Sequence, residues 1–455
     1  MNMNSGALIF AAGLFLASSQ VSAAVGMVAD DASDKVIVFD TTTHIVKGTV
    51  SIPPGAVIGD VLIAPDGKTG FVTNFDFKVF VIDLTTSPPT LASGTNPISI
   101  DNFGEDLSIT KDGKYLLVTD GDPVAPISVI DVATRRQIGS FSTGSNNTAV
   151  AVCDDNSVLV ASFGDGLVRR FTLSAAGVLT NSGAAFAIFD PTNVYCAPGS
   201  KAGFVVNVES KLASFTLPAM TGVDTRILDN RTGTPDVSAI TGALNPTGEK
   251  AFARTQTSVM KFDFNPVTGA LGAGPLLTIP VASVIPFFGV DQLAATDKEI
   301  YVPQPGVLSV YDSVNGSLVS SITDPAISLP TGVTVASSQF NFSGFIQPVD
   351  NLPNINVVKA GSAVPVKFSL GGNQGLNVLQ SGYPASQPIA CSGTAANGEI
   401  EQTVTAGNSA LHYDAAIDQY TYVWKTDKAW TGTCRQLILR LADGTDHKAL
   451  FNFAR

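Results

Sequence analysis

Short runs of β-branched and aromatic residues, broken by polar turns, fill most of this chain, and one phrase recurs in them seven times. It is an apolar, mostly alternating stretch, then a large hydrophobic residue, then Asp or Thr. The copies end at Phe39-Asp40, Ile82-Asp83, Ile130-Asp131, Phe171-Thr172, Phe215-Thr216, Phe262-Asp263 and Tyr311-Asp312. Successive steps are 43, 48, 41, 44, 47 and 49 residues. Alternation predicts strands with two distinct faces, and a period in the forties built from short strands predicts a β-propeller, one four-stranded sheet per repeat. Asp or Thr at a strand end can accept a backbone N–H two residues on and so start a turn.

Each copy is preceded by a predicted hairpin. The clearest runs Ile63-Ala64-Pro65-Asp66-Gly67-Lys68-Thr69-Gly70-Phe71-Val72-Thr73-Asn74, and it returns as Cys196-Ala197-Pro198-Gly199-Ser200-Lys201-Ala202-Gly203-Phe204-Val205-Val206-Asn207. Variants begin at Ile109 and Asn245. Pro or Asp followed by Gly is turn chemistry, and Phe-Val-Thr-Asn suits a strand lying between two others.

These hairpins resemble the YVTN family of propeller repeats over roughly residues 25 to 337, with Phe71 in place of Tyr and a degenerate fourth copy at Val158-Leu159-Val160-Ala161-Ser162. The resemblance implies a seven-bladed ring akin to the superfamily that holds lactonase-like enzymes and the β chain of quinoprotein amine dehydrogenases. Blade one has only three strands of its own, in 26–29, 35–39 and 45–51, whereas 327–336 reads as a strand without a blade. The expectation is that 327–336 supplies the inner strand of blade one and closes the ring, since each would otherwise leave an open sheet edge.

From about Phe340 the register changes. Val364, Val366, Phe368 and Leu370 alternate with polar or small residues, as do Tyr420, Tyr422 and Trp424, and Leu437, Leu439 and Leu441. Several such strands predict an Ig-like β-sandwich. Pro365-Val366-Lys367-Phe368, with Tyr420 to Thr426 and Trp430 to Cys434, resembles the PxKF module of exported bacterial proteins, a family that brings no activity with it. Lys367 reads as a solvated strand residue. The fold class is therefore all-β: a seven-bladed β-propeller over 24–338 followed by an Ig-like sandwich over 339–455.

Residues 1–23 read as a signal peptide, an apolar run from Ala7 to Ala17 followed by Val21-Ser22-Ala23. Eleven helical residues are too short for a bilayer core of about 30 Å, so no membrane span is expected. The expected location is secreted or periplasmic. There the four cysteines can all be oxidised. Cys391 and Cys434 are the natural pair within the sandwich. Cys153 and Cys196, one blade period apart, form either a blade-to-blade disulfide or two buried thiols. A net charge of −12 argues against nucleic acid and anionic lipid as partners.

Only three histidines occur, His44, His412 and His447, and only the first lies in the propeller region. A metal site of several histidines cannot be assembled there from one His, and no sequence motif marks that one as a triad or haem residue. Asp30-Asp31-Ala32-Ser33-Asp34 suggests calcium, but reads better as the turn between the second and third strands of blade one, and Asp120-Gly121-Asp122, Asp154-Asp155 and Gly164-Asp165-Gly166 read as turns too. Glu105-Asp106 and Asp291 fall where inner strands begin, and paired carboxylates there can do acid–base work. Arg169 and Arg170 point to opposite faces of one strand and form no anion clamp. Trp424 and Trp430 read as sandwich core.

This reading assigns no catalytic, cofactor-binding or metal-ligating residue and no cofactor. It expects a non-catalytic exported binding or scaffold protein that recognises an extracellular or periplasmic protein or small ligand through a propeller face. The alternatives are a lactonase-like hydrolase and a structural subunit of a periplasmic dehydrogenase.

Overall fold

The computed structural model describes residues 25–455 except 54–56, 123–125, 229–238, 283–289, 337–339, 341, 343, 371–375, 377, 381, 392–397, 406–410 and 442–444. The signal peptide expected at 1–23 and the domain boundary expected at 338 lie outside the described residues. No helix among the described residues is long and apolar enough to cross a membrane.

The period of the hydrophobic pattern becomes a succession of antiparallel sheets, giving a propeller-like all-β fold. Sheet one is ordered Pro330–Val335, Val25–Asp30, Lys35–Asp40, Val46–Ser51. Sheet two runs Ile58–Ile63, Thr69–Asn74, Lys78–Asp83, Thr90–Leu91, and Ile98–Ser99 also pairs with its third strand. Sheets three to seven repeat the four-strand order and begin with Leu107–Ile109, Asn147–Val152, Pro191–Cys196, Ala239–Leu244 and Ala294–Ala295. Each sheet's first strand touches the first strand of the next, and Ala294–Ala295 touches Pro330–Val335, so the circuit closes.

Burial follows from that stacking. Second strands such as Ser157–Ser162 and Ala202–Asn207 are buried at every position because both faces meet a neighbouring sheet. Outer strands such as Arg136–Phe141 alternate exposed and half-buried positions. Seven apolar clusters fill the gaps, each shared by two successive sheets. Phe71 and Leu116 join the second sheet to the third, and Phe39 and Tyr301 join the first to the seventh.

The strand-ending Asp residues make the turns they predict. Asp40 Oδ1 accepts the N–H of Thr42 and Thr43 at 2.9 and 2.8 Å, Asp131 Oδ1 that of Thr134 at 2.8 Å, and Asp312 Oδ1 that of Val314 at 2.8 Å. Three copies differ. Thr172 and Thr216 donate their hydroxyls across to Thr180 and Thr221 carbonyls, since Thr can use its proton where Asp cannot. Asp263 pairs instead with Lys250 across the strand, and Asn265 Oδ1 caps the turn from Val267 and Thr268.

The first sheet joins the two ends of this region. Gly26, Met27 and Val28 pair with Val335, Thr334 and Val333, and after a bulge Asp30 pairs with Pro330. The observed strand, Pro330–Val335, is shorter than 327–336. The fully buried Asp30 explains the difference, because its Oδ2 takes the N–H of Ser328 and Leu329 at 2.6 and 2.7 Å and holds that end as a loop.

Beyond residue 344, two five-stranded sheets share one core. One is ordered Phe345–Ile346, Ala363–Phe368, Gln419–Lys425, Val404–Thr405, with His412–Asp414 beside the third strand. The other runs Ile355–Lys359, Asp446–Ala454, Cys434–Arg440, Ala385–Ile389, Glu401–Gln402. Trp424, fully buried, meets Phe451 edge-on at 5.2 Å between ring centres. Both disulfides are present. Cys391–Cys434 links this second sheet with Cα atoms 5.1 Å apart, and Cys153–Cys196 links the first strands of sheets four and five at 5.5 Å.

Candidate functional site

The hairpins set a common frame for the first strands. In each, the residue before the turn gives its N–H back across the hairpin: Ala64, Thr110, Cys153, Ala197, Asn245 and Thr296. Four positions earlier stand Asp60, Asp106, Ala149, Asn193, Thr241 and Gln292, and Gly332 is the counterpart in the closing strand, four before Ala336. A bulge falls just before this position in the sheets of Ala149, Asn193 and Thr241, and Asp60 lies within one. Bulges re-aim the residue that follows, and here they turn a ring of side chains inward. The motif threonines anchor the ring: Thr73 Oγ1 accepts the N–H of Asp60 at 2.8 Å, and Thr119 Oγ1 that of Asp106 at 3.1 Å.

Asp60, Asp106 and Asp291, from sheets two, three and seven, bring carboxylate oxygens within 4.8 Å of one another. Asp60 and Asp106 are buried and Asp291 is half-buried. Asp106 accepts the N–H of Leu107 at 2.9 Å and of Val150 at 2.7 Å, and Asp60 Oδ1 accepts that of Asp291 at 3.2 Å. Asp291 Oδ1 receives the Tyr195 hydroxyl at 2.9 Å, Asn193 Nδ2 at 3.1 Å and Thr241 Oγ1 at 3.4 Å. Gly332 leaves the room this needs, because a Cβ there would sit 3.0 Å from Asp60 Oδ1.

None of the described ion pairs reaches these three acids. Two ionised carboxylates at such a separation repel by about 3 kcal/mol at an effective dielectric near 20. Burial, then Asp291, push the Asp60 and Asp106 carboxyls well above the usual range. Burial raises Asp291 to about 6, and its bonds from Tyr195, Asn193 and Thr241 oppose the rise. Two acceptors at the ring level, Asp60 Oδ2 and Gln292 Oε1, are buried without a hydrogen-bond partner. The fully buried Arg254 gives its guanidinium to the Gln292 and Pro303 carbonyls at 2.6 and 2.7 Å.

A cavity of about 220 Å³ opens beside the acids, lined by Asp106, Ser108, Val150, Asn193, Tyr195 and Asp291 among others. A larger depression of about 420 Å³ lies along the turns of sheet six, where the exposed Lys250–Asp263 pair is its charged chemistry.

Of the acids singled out from sequence, Asp106 and Asp291 come together. Glu105 stands outside the group, beside Asp120, and burial first and Asp120 second raise it to about 8. Asp120 holds the N–H of Phe103 and of Asp122, each at 2.6 Å. Asp154 and Asp165 bond the backbone of Gly199 and Ser145, at 2.9 Å each. His44 meets Glu299 at 3.1 Å, and His447 stacks on Phe342, so neither joins the central acids. Arg169 pairs with Asp165 and Arg170 with Asp155. Trp430 is half-buried under the Arg435 guanidinium at 4.1 Å. Sequence reasoning missed Asp60, Asn193, Tyr195 and Thr241. The usable signal was position: Asp60 and Asp106 each stand seven residues before the turn glycines Gly67 and Gly113.

No family model and no curated protein matches this chain. Solved structures do. A functionally unknown protein from Desulfotomaculum acetoxidans DSM 771 aligns with a TM-score of 0.59 at 19% identity, covering 69% of this chain and 99% of that one. A protein from Bacteroides uniformis ATCC 8492, provisionally assigned as a 6-phosphogluconolactonase, aligns with a TM-score of 0.54 at 14% identity over 69% and 99%. Hydrazine synthase from Kuenenia stuttgartiensis gives 0.49 at 15% identity over 66% and 92%, too low to carry an argument. At these identities the likeness is one of fold alone.

Proposed function

We propose that this is an exported, non-catalytic binding protein: a seven-bladed propeller whose central cavity receives a small polar ligand, followed by an Ig-like module at 339–455. The observation that carries this reading is a cavity of about 220 Å³ whose largely apolar wall carries the polar side chains of Asp106, Ser108, Asn193, Tyr195 and Asp291. Asn193, Tyr195, Thr241 and Asp291 bond one another, at 2.8 Å between the Tyr195 and Thr241 hydroxyls. Such mutual bonding fixes side chains in advance, which favours recognition, and the surplus of acceptors suits a ligand rich in N–H or O–H groups. The two disulfides fit an oxidising compartment.

The hydrolase reading has one observation in its favour. Asp291 borders the cavity and is raised to about 6, where a carboxyl can serve as acid or base near neutrality. A thermal-shift screen of amines, polyols and sugars, run beside hydrolysis assays on lactones, phosphoesters and glycosides, separates the two. We expect a ligand that stabilises the protein and is lost on Tyr195→Phe, with no turnover. Hydrolysis abolished by Asp291→Asn would overturn the binding reading.

A further inference from the structure

The three central acids have a shared deficit. Asp60, Asp106 and Asp291 converge from separate sheets, and the hydrogen bonds fixing Asp106 and Asp291 come from backbone N–H groups and neutral side chains, so no cationic side chain among the described ion pairs offsets the charge they carry once ionised. Independently of that convergence, Asp60 is fully buried and its Oδ2 has no hydrogen-bond partner. A buried carboxylate oxygen without a donor, on an acid that contacts the Asp106 carboxyl and lies within 4.8 Å of a third, calls for a positive species. We propose that the ring holds one hard divalent cation, of the calcium type, with Asp60, Asp106 and Asp291 as carboxylate ligands.

The donor set decides the class of ion. The candidate ligands are the three carboxylates, oxygen in every case, and the Asn193 amide nitrogen and the Tyr195 hydroxyl act as donors that hold Asp291 Oδ1 in place. Hard cations select oxygen, whereas zinc and copper favour the imidazole and thiolate this ring lacks. Calcium fits better than magnesium because its larger, flexible shell tolerates ligands set by backbone on three sheets, and the adjoining cavity admits the water that completes it. The cation also gives Gly332 a purpose, since a larger residue at the closing strand would displace Asp60. The inference rests on the central cavity but not on which organic ligand enters it, and it is tested without one.

The full-length protein is stripped with a chelator and then titrated with calcium chloride, by calorimetry and by melting temperature. We expect about one ion per chain and a Tm rise of about 5 °C at a hundredfold excess over Kd. Asp60→Asn and Asp106→Asn are expected to weaken binding at least tenfold, while Asp154→Asn, at an exposed turn acid, leaves it unchanged. Tyrosine-sensitised terbium luminescence, quenched by excess calcium and absent in Asp291→Asn, gives a second readout. Because Asn removes repulsion, the variants should fold. No heat and no Tm change with calcium, magnesium or manganese would overturn the proposal, and so would equal calcium affinity in the wild type and Asp60→Asn. Failure of the organic-ligand screen leaves this result untouched, so the two readings fail separately.

Discussion

Leu329 donates its backbone N–H to the carboxylate of Asp30 at 2.7 Å, across 299 positions of chain, and Asp31 returns an N–H to the Leu329 carbonyl at 3.2 Å. Asp30 is fully buried and also receives Ser328 and Ser33, so one side chain fastens the end of the repeat region to its beginning. Removing it takes the acceptor from three N–H groups, those of Ser33, Ser328 and Leu329. Asp30→Ala should cost about 1–3 kcal/mol in urea denaturation, because the hydrogen bonds of a buried carboxylate to three backbone N–H groups are lost together. A loss under 0.5 kcal/mol would show that the latch is dispensable.

The same junction makes truncation informative. A chain ending after Asp324 lacks Pro330–Val335 and exposes the Val25–Asp30 edge, and it should aggregate. A chain ending after Ser338 keeps that strand and should remain soluble. Equal recovery of the two fragments in size-exclusion chromatography would count against the closure as a stabilising contact.

Each disulfide closes a 43-residue separation, worth about 4 kcal/mol in the chain-entropy view. Peptide mapping without reduction should recover Cys391 joined to Cys434 and Cys153 joined to Cys196. Cys391→Ala should lower the melting transition of the C-terminal sheets more than that of the repeat region. A uniform shift of both transitions would contradict this.

Glu105 sets a pH dependence. Its carboxyl rises from 4.5 to about 8, so the folded state keeps a proton that the unfolded chain releases. Below pH 4.5 both states are protonated and no penalty exists. The penalty grows as pH climbs toward 8 and is constant above. Glu105→Gln keeps the bond from Gly121 and removes the charge. It should therefore be neutral at pH 4 and stabilising at pH 9, on the order of 2 kcal/mol after allowing for solvent access. Identical denaturation midpoints for the two proteins at pH 9 would refute the assignment.

The strands and hairpins were readable because a short apolar run closed by Asp recurs at a steady period, as at Lys35–Asp40 and Lys78–Asp83. The site was less readable for a related reason. A bulge before Asn193 or Thr241 adds one residue and reverses the parity that tells inward from outward positions. Asp60 therefore looked like an isolated acid in an apolar run, and Asn193 and Thr241 like ordinary polar strand residues. Asp106 and Asp291 drew notice only for standing where inner strands begin. Counting back four from the residue whose N–H closes each hairpin, rather than along the alternation, recovers Asp60, Asp106, Asn193 and Thr241, and it leaves Asp291 one residue off the count.

The central acids also set an order in time. Asp60 and Asp291 are 231 positions apart. At about 5–20 residues per second of synthesis, the second follows the first by tens of seconds. Until Asp291 is in place, Asp60 and Asp106 lack the neighbouring acid that helps raise their carboxyls. The mutual repulsion of the three therefore falls on the last sheet to dock. The final step of maturation is where the surrounding medium, through its acidity or its dissolved ions, has most influence on whether this chain finishes.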